Sequence, residues 1–146
     1  MHLLVVEDQG VFAEAMAEEL KAAGHEVDGP ARSMEEGLKL ARKRKPELAL
    51  VDIGLKVEGD GIMLARMLWL EFEVPSLFVS GSREEAVANA DLAVGLVEKP
   101  VAPEKVVRAV EAARAVLHGD PAPAGPSELT LFSHRPRPPS DAPGLH

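Results

Sequence analysis

Four short segments of the sequence are uniformly apolar, and each is followed by a stretch with helical spacing. These segments are residues 3–6, 48–51, 77–79 and 94–97. A strand with one face in water alternates polar and apolar residues, whereas a uniformly apolar strand is typical of a parallel sheet covered on both faces. A weaker run at residues 25–31 alternates and contains Pro30, which predicts an edge strand.

Five helices are predicted after these strands, and three of them have recognisable starts. The pairs Ser33–Glu36 and Ser82–Glu85 have the spacing of a capping box, in which the Ser and Glu side chains bond each other's backbone amides. Asp60 is the expected N-cap of the third helix. Strand followed by helix, five times over, requires right-handed crossovers. The sequence therefore predicts a doubly wound α/β domain.

The character of the sequence changes near residue 120, where helical periodicity ends. Seven of the 12 prolines lie beyond this point. Proline-rich segments without periodicity bury too little apolar surface to fold alone. We predict a domain at residues 1–118 and a disordered tail at residues 119–146. An apolar island at residues 129–132 is either incidental and weakly docked, or a segment that binds a partner or docks onto the domain itself.

The composition limits the classes of partner and chemistry. The formal net charge is -8, which repels nucleic acid and favours a cation or a basic protein surface. The absence of cysteine excludes disulfides, thiolate metal sites and thiol catalysis. No signal-peptide pattern is present, and no apolar run approaches the roughly 20 residues of a membrane span. We therefore expect a cytoplasmic protein that binds neither membrane nor nucleic acid directly.

Polar side chains follow the apolar strands at the points where the strands end. Glu7 and Asp8 follow the first, Asp52 the third, Ser80 the fourth and Lys99 the fifth. Ligands of open parallel sheets bind at this carboxyl edge, where the strand order reverses. A single such residue is as readily a solvated loop residue. The complete set indicates a site.

Three carboxylates in one pocket need a compensating charge. Each like-charged pair at about 4 Å costs on the order of 4 kcal/mol at an effective dielectric constant of 20. Lys99 neutralises one charge, and the remainder favours a hard divalent cation such as Mg²⁺. The alternative is that Glu7 and Asp8 only stabilise the positive end of the first helix.

Five motifs together resemble the receiver domain of two-component response regulators. They are residues 5–8 (VVED), 50–55 (LVDIGL), 60–61 (DG), 79–81 (VSG) and 98–100 (EKP). No motif is specific alone, but their order and spacing over about residues 2–117 are. The resemblance implies a flavodoxin-like fold with five helices and a five-stranded parallel sheet in the order 2-1-3-4-5. Because only the Pro-rich tail follows, we expect a stand-alone receiver.

The resemblance also implies roles for the residues at the sheet edge. Asp52 is the phosphoacceptor, and Mg²⁺ is held by Glu7, Asp8, Asp52 and the backbone carbonyl of Gly54. In the same family, a residue at the position of Ser80 senses the phosphoryl group. Lys99 contacts that group, and the Lys99–Pro100 bond is cis.

The implied function is a step of a phosphorelay. The phosphoryl donor is a sensor histidine kinase or a histidine phosphotransfer protein, and the signal passes to a downstream protein partner or to a homodimer. The domain accepts and loses its own phosphoryl group and is not an enzyme in the usual sense. The chain departs from the family at Leu96, where an aromatic residue is usual, and in a shortened stretch at residues 80–99.

These departures keep a second hypothesis open, namely a degenerate receiver that binds proteins independently of phosphorylation. A metal-dependent phosphohydrolase is disfavoured, because such enzymes typically carry a further Asp two residues after the nucleophile. Gly54 stands at that position.

Overall fold

A six-stranded sheet forms the centre of the computed structural model, which describes residues 1–132. In chain order its strands are β1 (His2–Val6), β2 (Glu26–Ala31), β3 (Leu48–Val51), β4 (Ser76–Ser80), β5 (Ala93–Glu98) and β6 (Leu129–Leu131). Their spatial order is β2-β1-β3-β4-β5-β6. The first five strands are parallel, which confirms the predicted order, with β2 at one edge.

Five α-helices cover the two faces of this sheet, as predicted. They are α1 (Gly10–Ala22), α2 (Met34–Lys43), α3 (Asp60–Phe72), α4 (Arg83–Ala88) and α5 (Pro103–Leu117), and a 3₁₀ turn at Ala90–Leu92 follows α4. Successive residues of β1 point to opposite faces. Leu4 and Val6 pack on the side of α2 and α3, and Leu3 and Val5 pack on the side of α1 and α5. Both faces are buried, which explains the uniformly apolar strands. Within residues 1–132, no helix has the length and apolar character needed to cross a bilayer.

The predicted helix starts agree with the structure in one of three cases. Ser33 Oγ accepts from the Glu36 amide at 3.2 Å, as predicted, whereas the Glu36 carboxylate accepts from the amide of Arg32, one residue before the expected Ser33. The capping box at Ser82 is wrong, since the side chain of Ser82 makes no capping hydrogen bond. The Ser82 amide instead donates a hydrogen bond to the hydroxyl of Ser80, the last residue of β4. The N-cap of the third helix lies one residue before the predicted Asp60.

Asp60 is the first residue of α3 and is not its N-cap. Gly59 occupies the cap position with φ +86°, a backbone conformation that favours glycine. Asp60 therefore lies inside the first turn, where a negative charge is favourable next to the positive end of the helix dipole.

The segment that follows α5 departs from the predicted disorder at residues 129–131. These residues form β6, which pairs antiparallel with β5. The apolar island therefore docks onto the domain, because Leu129 and Leu131 pack against one face of the core and Phe132 against the other. The proposed boundary at residue 118 stays a prediction. Residues 133–146 of the predicted tail lie outside the described residues.

Candidate functional site

The pairing of β1 with β3 sets two carboxylates side by side. The strands are in register with Val6 opposite Val51, so that Glu7 and Asp52 leave the sheet at equivalent positions. The Asp52 amide donates to the Val6 carbonyl at 2.9 Å, and the Glu7 amide donates to Ala31 at the end of β2. Backbone hydrogen bonds to neighbouring strands thus fix where both side chains begin.

Glu7, Asp8 and Asp52 form one acidic cluster. One carboxylate oxygen from each lies within 4.8 Å of the others. Glu7 and Asp52 are buried and Asp8 is partly exposed. Each carboxylate accepts a hydrogen bond from one backbone amide of a nearby loop. Glu7 accepts from Gln9 at 3.1 Å, Asp8 from Lys56 at 2.9 Å and Asp52 from Gly54 at 2.8 Å. The structure therefore brings together the three carboxylates among the four predicted metal ligands.

Lys99 joins this cluster from the far side of the sheet. Its ammonium nitrogen lies 2.6 Å from Glu7 Oε1 and 3.4 Å from Asp52 Oδ2. It also lies 5.4 Å from the centre of the Phe12 ring and 3.5 Å from Gln9 Oε1. A single cation therefore faces two buried carboxylates.

Glu7 is the most perturbed group of the cluster. Desolvation by burial, followed by the hydrogen bond and charge of Asp52, raises the pKa of Glu7 to about 7, although Lys99 and the Gln9 amide act in the opposite direction. Its neutral and ionised forms are thus comparably populated near neutral pH. Glu7 Oε1 is buried and close to Lys99, but it has no well-aligned hydrogen-bond donor. A carboxylate oxygen in this state is suited to a further cation.

The donor set of the cluster fits Mg²⁺. All candidate ligand atoms are oxygens, and hard divalent cations prefer carboxylates and carbonyls over other protein groups. Lys99 offsets only part of the negative charge of the three carboxylates, which adds a structural reason to expect a further cation there.

Two other predicted site residues lie next to the cluster. Ser80 ends β4 and is buried, and its hydroxyl accepts from the Ser82 amide at 3.0 Å. Its carbonyl accepts from the Lys99 amide at 3.0 Å. Gly54 is exposed and directs its amide at Asp52. The Lys99–Pro100 peptide bond is cis, as the resemblance implied. The predicted chemical roles of Ser80 and Gly54 stay predictions.

Several contacts that shape the site were not predicted from the sequence. Gln9 and Phe12 border Lys99, and Lys56 supplies an amide to Asp8. Gly61 packs so closely that a Cβ atom there would lie 2.4 Å from the carbonyl oxygen of Asp52. The position of Gln9 directly after the acidic pair was the only available signal for a role at this site. The others depend on tertiary packing.

Leu96, the residue that departs from the family pattern, is fully buried in the core. It lies in β5 opposite Phe78 of β4 and Thr130 of β6. Its side chain packs in the cluster on the side of α3 and α4. At this position the chain therefore has an aliphatic core residue next to β6, where an aromatic residue is usual in the family.

Comparison with known proteins agrees with this arrangement. The family model of the response regulator receiver domain matches residues 3–111. The chain is similar to the phyllosphere-induced regulator PhyR of Methylorubrum extorquens, with 31% identity over 106 residues, covering 71% of this chain and 40% of that protein. It is also similar to the KDP operon transcriptional regulatory protein KdpE of Escherichia coli, with 30% identity over 132 residues, covering 90% of this chain and 58% of that protein.

The chain thus spans about half the length of the curated relatives it matches. Among solved structures it resembles a response regulator protein from Burkholderia pseudomallei that contains a phosphorylated aspartic acid, a calcium ion and citrate. The TM-score is 0.66 at 30% identity, covering 81% of this chain and 71% of that chain.

Proposed function

The chain belongs to the response regulator receiver domain family, and on this premise we propose that Asp52 accepts a phosphoryl group from a phosphohistidine. The donor is a sensor histidine kinase or a histidine phosphotransfer protein. One observation carries the proposal. The carboxylates of Glu7, Asp8 and Asp52 cluster within 4.8 Å, and Lys99 faces them.

The reaction needs a nucleophile in line with the bond that breaks. A carboxylate oxygen of Asp52 attacks the phosphorus, the P–N bond to the donor imidazole breaks, and the leaving nitrogen keeps the electron pair and gains a proton. The product is an acyl phosphate on Asp52, which water later hydrolyses. Because phosphoryl transfer has a loose transition state, the protein contributes mainly position and positive charge. Lys99 supplies such charge, since its ammonium lies 3.4 Å from Asp52 Oδ2.

The metal is proposed on the chemistry of the ligands. Glu7, Asp8 and Asp52, with the carbonyl of Gly54, would hold Mg²⁺. When bound, Mg²⁺ supplies positive charge to the equatorial phosphoryl oxygens. A similar response regulator structure that contains a phosphorylated aspartic acid and a calcium ion supports the proposal of a modified aspartate and a divalent cation.

The signal is proposed to leave through a protein surface. The Ser80 hydroxyl turns from the Ser82 amide toward a phosphoryl oxygen, and this change biases the nearby start of α4 between two arrangements. The net charge of -8 favours a protein partner over nucleic acid. The oligomeric state of the phosphorylated protein tests whether that partner is a second copy of the chain.

A second candidate function is a protein-binding module that does not depend on phosphorylation. The specific observation in its favour is Leu96, which is buried where the family carries an aromatic residue that takes part in the switch. The complete set of Glu7, Asp8, Asp52 and Lys99 argues against it, since an inert domain has no need to hold three carboxylates together.

The decisive experiment is incubation with Mg²⁺ and a small acyl-phosphate donor, followed by intact mass measurement. We expect one phosphoryl adduct on the wild type, none on Asp52→Asn, and none when Mg²⁺ is chelated. Asp91→Asn is the matched control, because Asp91 is an exposed acid in the 3₁₀ turn, and it should be modified like the wild type. No adduct on the wild type with any donor would overturn the proposal in favour of the binding module. An adduct that persists in Asp52→Asn would place the acceptor elsewhere.

A further inference from the structure

The outer edge of β5 is covered by the segment that returns after α5. We call residues 128–132 the C-terminal strap. The Glu98 amide donates to the carbonyl of Glu128, and the Phe132 amide donates to the carbonyl of Val94, both at 2.9 Å. Between these bonds Leu96 lies opposite Thr130. The strap thus supplies the β5 edge with a partner from the same chain.

The sequence of β5 is adapted to this close approach. A Cβ atom at Gly95 would lie 2.5 Å from the carbonyl oxygen of Thr130 and 3.2 Å from the Cα atom of Leu131. These are backbone atoms, which cannot move aside without displacing the strap. Glycine inside a strand weakens it and often marks a place where another backbone approaches closely. Gly95 has this role toward the strap.

One side chain connects the strap to the phosphoacceptor site. Arg83 Nη1 lies 2.7 Å from Glu98 Oε1 and 3.2 Å from Thr130 Oγ1. Arg83 begins α4 directly after Ser82, whose amide is held by the hydroxyl of Ser80. Glu98 is the residue before Lys99. The guanidinium of Arg83 therefore links the strap to both segments that carry predicted site residues.

We infer that phosphorylation of Asp52 releases the strap from β5 and so uncovers the β5 edge. This inference rests on the proposed function. In the unmodified protein the Ser80 hydroxyl holds the Ser82 amide. Once this hydroxyl binds a phosphoryl oxygen, that bond is lost and the start of the six-residue helix α4 shifts. The guanidinium of Arg83 then withdraws from Thr130, so that the strap loses one side-chain anchor and keeps the ion pair between Glu128 and Lys105.

The strap is suited to such release, because its attachment is short. Its strand is three residues long, and its residues are only partly buried. Segments with few buried contacts open at low free-energy cost compared with the core. A change at Arg83 therefore shifts the balance between the attached and the released strap.

The test is amide hydrogen exchange at Phe132 in the full chain, with and without Mg²⁺ and a small acyl-phosphate donor. Intact mass of the same samples reports the phosphoryl adduct. We expect exchange at Phe132 to accelerate by about tenfold or more on phosphorylation, and to stay unchanged in Asp52→Asn under the same conditions. An adduct with unchanged exchange at Phe132 overturns the inference and leaves the proposed function standing. The absence of any adduct overturns both.

Two variants examine the mechanism of release. Gly95→Ala should displace the strap, so that Phe132 exchanges rapidly before any phosphorylation, while Asp52 is still modified. Arg83→Gln lies on the surface and is not expected to impair folding. It should remove the dependence of Phe132 exchange on phosphorylation, which a purely structural role of Arg83 would leave in place. Arg66→Gln, an exposed change on α3, is the matched control and should behave like the wild type.

Discussion

The ammonium nitrogen of Lys99 lies 2.6 Å from Oε1 of Glu7, although β3 and β4 separate their strands in the sheet. The long side chain of Lys99 spans the separation between β5 and β1 along the carboxyl edge of the sheet. It therefore contacts the same carboxylates that are proposed to bind Mg²⁺. Lys99 and the metal ion compete for the negative charge of Glu7 and Asp52, and this competition has measurable consequences.

The first prediction concerns Lys99→Met, which keeps an unbranched side chain and removes the charge. Mg²⁺ should bind more tightly, by about tenfold, because the carboxylates of Glu7 and Asp52 lose a competing cation. Phosphorylation should nevertheless slow by about 10²-fold, because the transition state loses a positive charge. Titration calorimetry with Mg²⁺ and the time course of adduct formation measure the two effects.

The opposite signs of these effects separate a site role from a general loss of structure. Lys39→Met is the control, since Lys39 is exposed on α2, and it should change neither quantity. If Lys99→Met weakened Mg²⁺ binding and slowed phosphorylation together, Lys99 would act as a structural support of the pocket rather than as a competing cation.

The second prediction concerns the pH dependence of stability without metal. The pKa of Glu7 is raised from 4.5 to about 7 in the folded protein, mainly by burial. Below about pH 4.5 Glu7 is protonated in both states and carries no penalty. Between about pH 4.5 and about pH 7, Glu7 ionises in the unfolded chain but stays largely protonated in the folded protein, so that ionisation stabilises the unfolded chain. The free energy of unfolding should fall over this window by at most on the order of 3 kcal/mol.

Urea unfolding at about pH 5 and about pH 8 measures this change. Glu7→Gln should abolish most of it, so that the difference between the two proteins gives the contribution of Glu7. Saturating Mg²⁺ should restore stability to the wild type at the higher pH, because it binds the ionised carboxylate. An equal pH slope in the wild type and Glu7→Gln would rule out Glu7 as its source.

The sequence predicted that the candidate site residues lie at one edge of the sheet, because strand ends can be read from apolar runs. Glu7, Asp52 and Lys99 each follow such a run, and a parallel sheet brings all such ends to one edge. The contacts between these residues could not be predicted, because they depend on strand register and on side-chain reach across two strands. Gln9 and Phe12 were missed for the same reason. Nothing in the sequence at the start of α1 shows that Lys99 lies beside them.

The sixth strand shows another limit of sequence analysis. Its three residues are too few for a periodic pattern, and the surrounding prolines favour an irregular segment. Its backbone is paired with the outer edge of β5, a tertiary contact that the local sequence does not reveal. Gly95 was the available signal, because a glycine within a buried strand indicates a close backbone approach.

The third prediction concerns the core position of Leu96. Leu96→Tyr restores an aromatic residue but inserts a larger side chain, with a hydroxyl, into a fully buried site. It should lower the free energy of unfolding by about 1–3 kcal/mol through overpacking. Leu96→Met, which conserves volume, should cost less than about 1.5 kcal/mol. Urea unfolding of the two variants provides the comparison. Equal stability of Leu96→Tyr and the wild type would mean that the pocket under the strap has room for an aromatic ring.

The last prediction concerns Gly61, where α3 meets the loop that carries Asp52. A Cβ atom at Gly61 would lie 2.4 Å from the Asp52 carbonyl oxygen and 2.6 Å from the Cα atom of Ile53, both of which are backbone atoms. Gly61→Ala should therefore push α3 and this loop apart and cost about 1–3 kcal/mol of stability. Because a displacement of about 1 Å can slow a reaction by 10²-fold, adduct formation on Asp52 should slow even where the protein remains folded.

Gly81→Ala is the matched control, since no atom lies within 4 Å of its added Cβ, and it should retain wild-type stability. Wild-type kinetics in a folded Gly61→Ala would show that the acceptor loop tolerates the shift, and that α3 does not position Asp52.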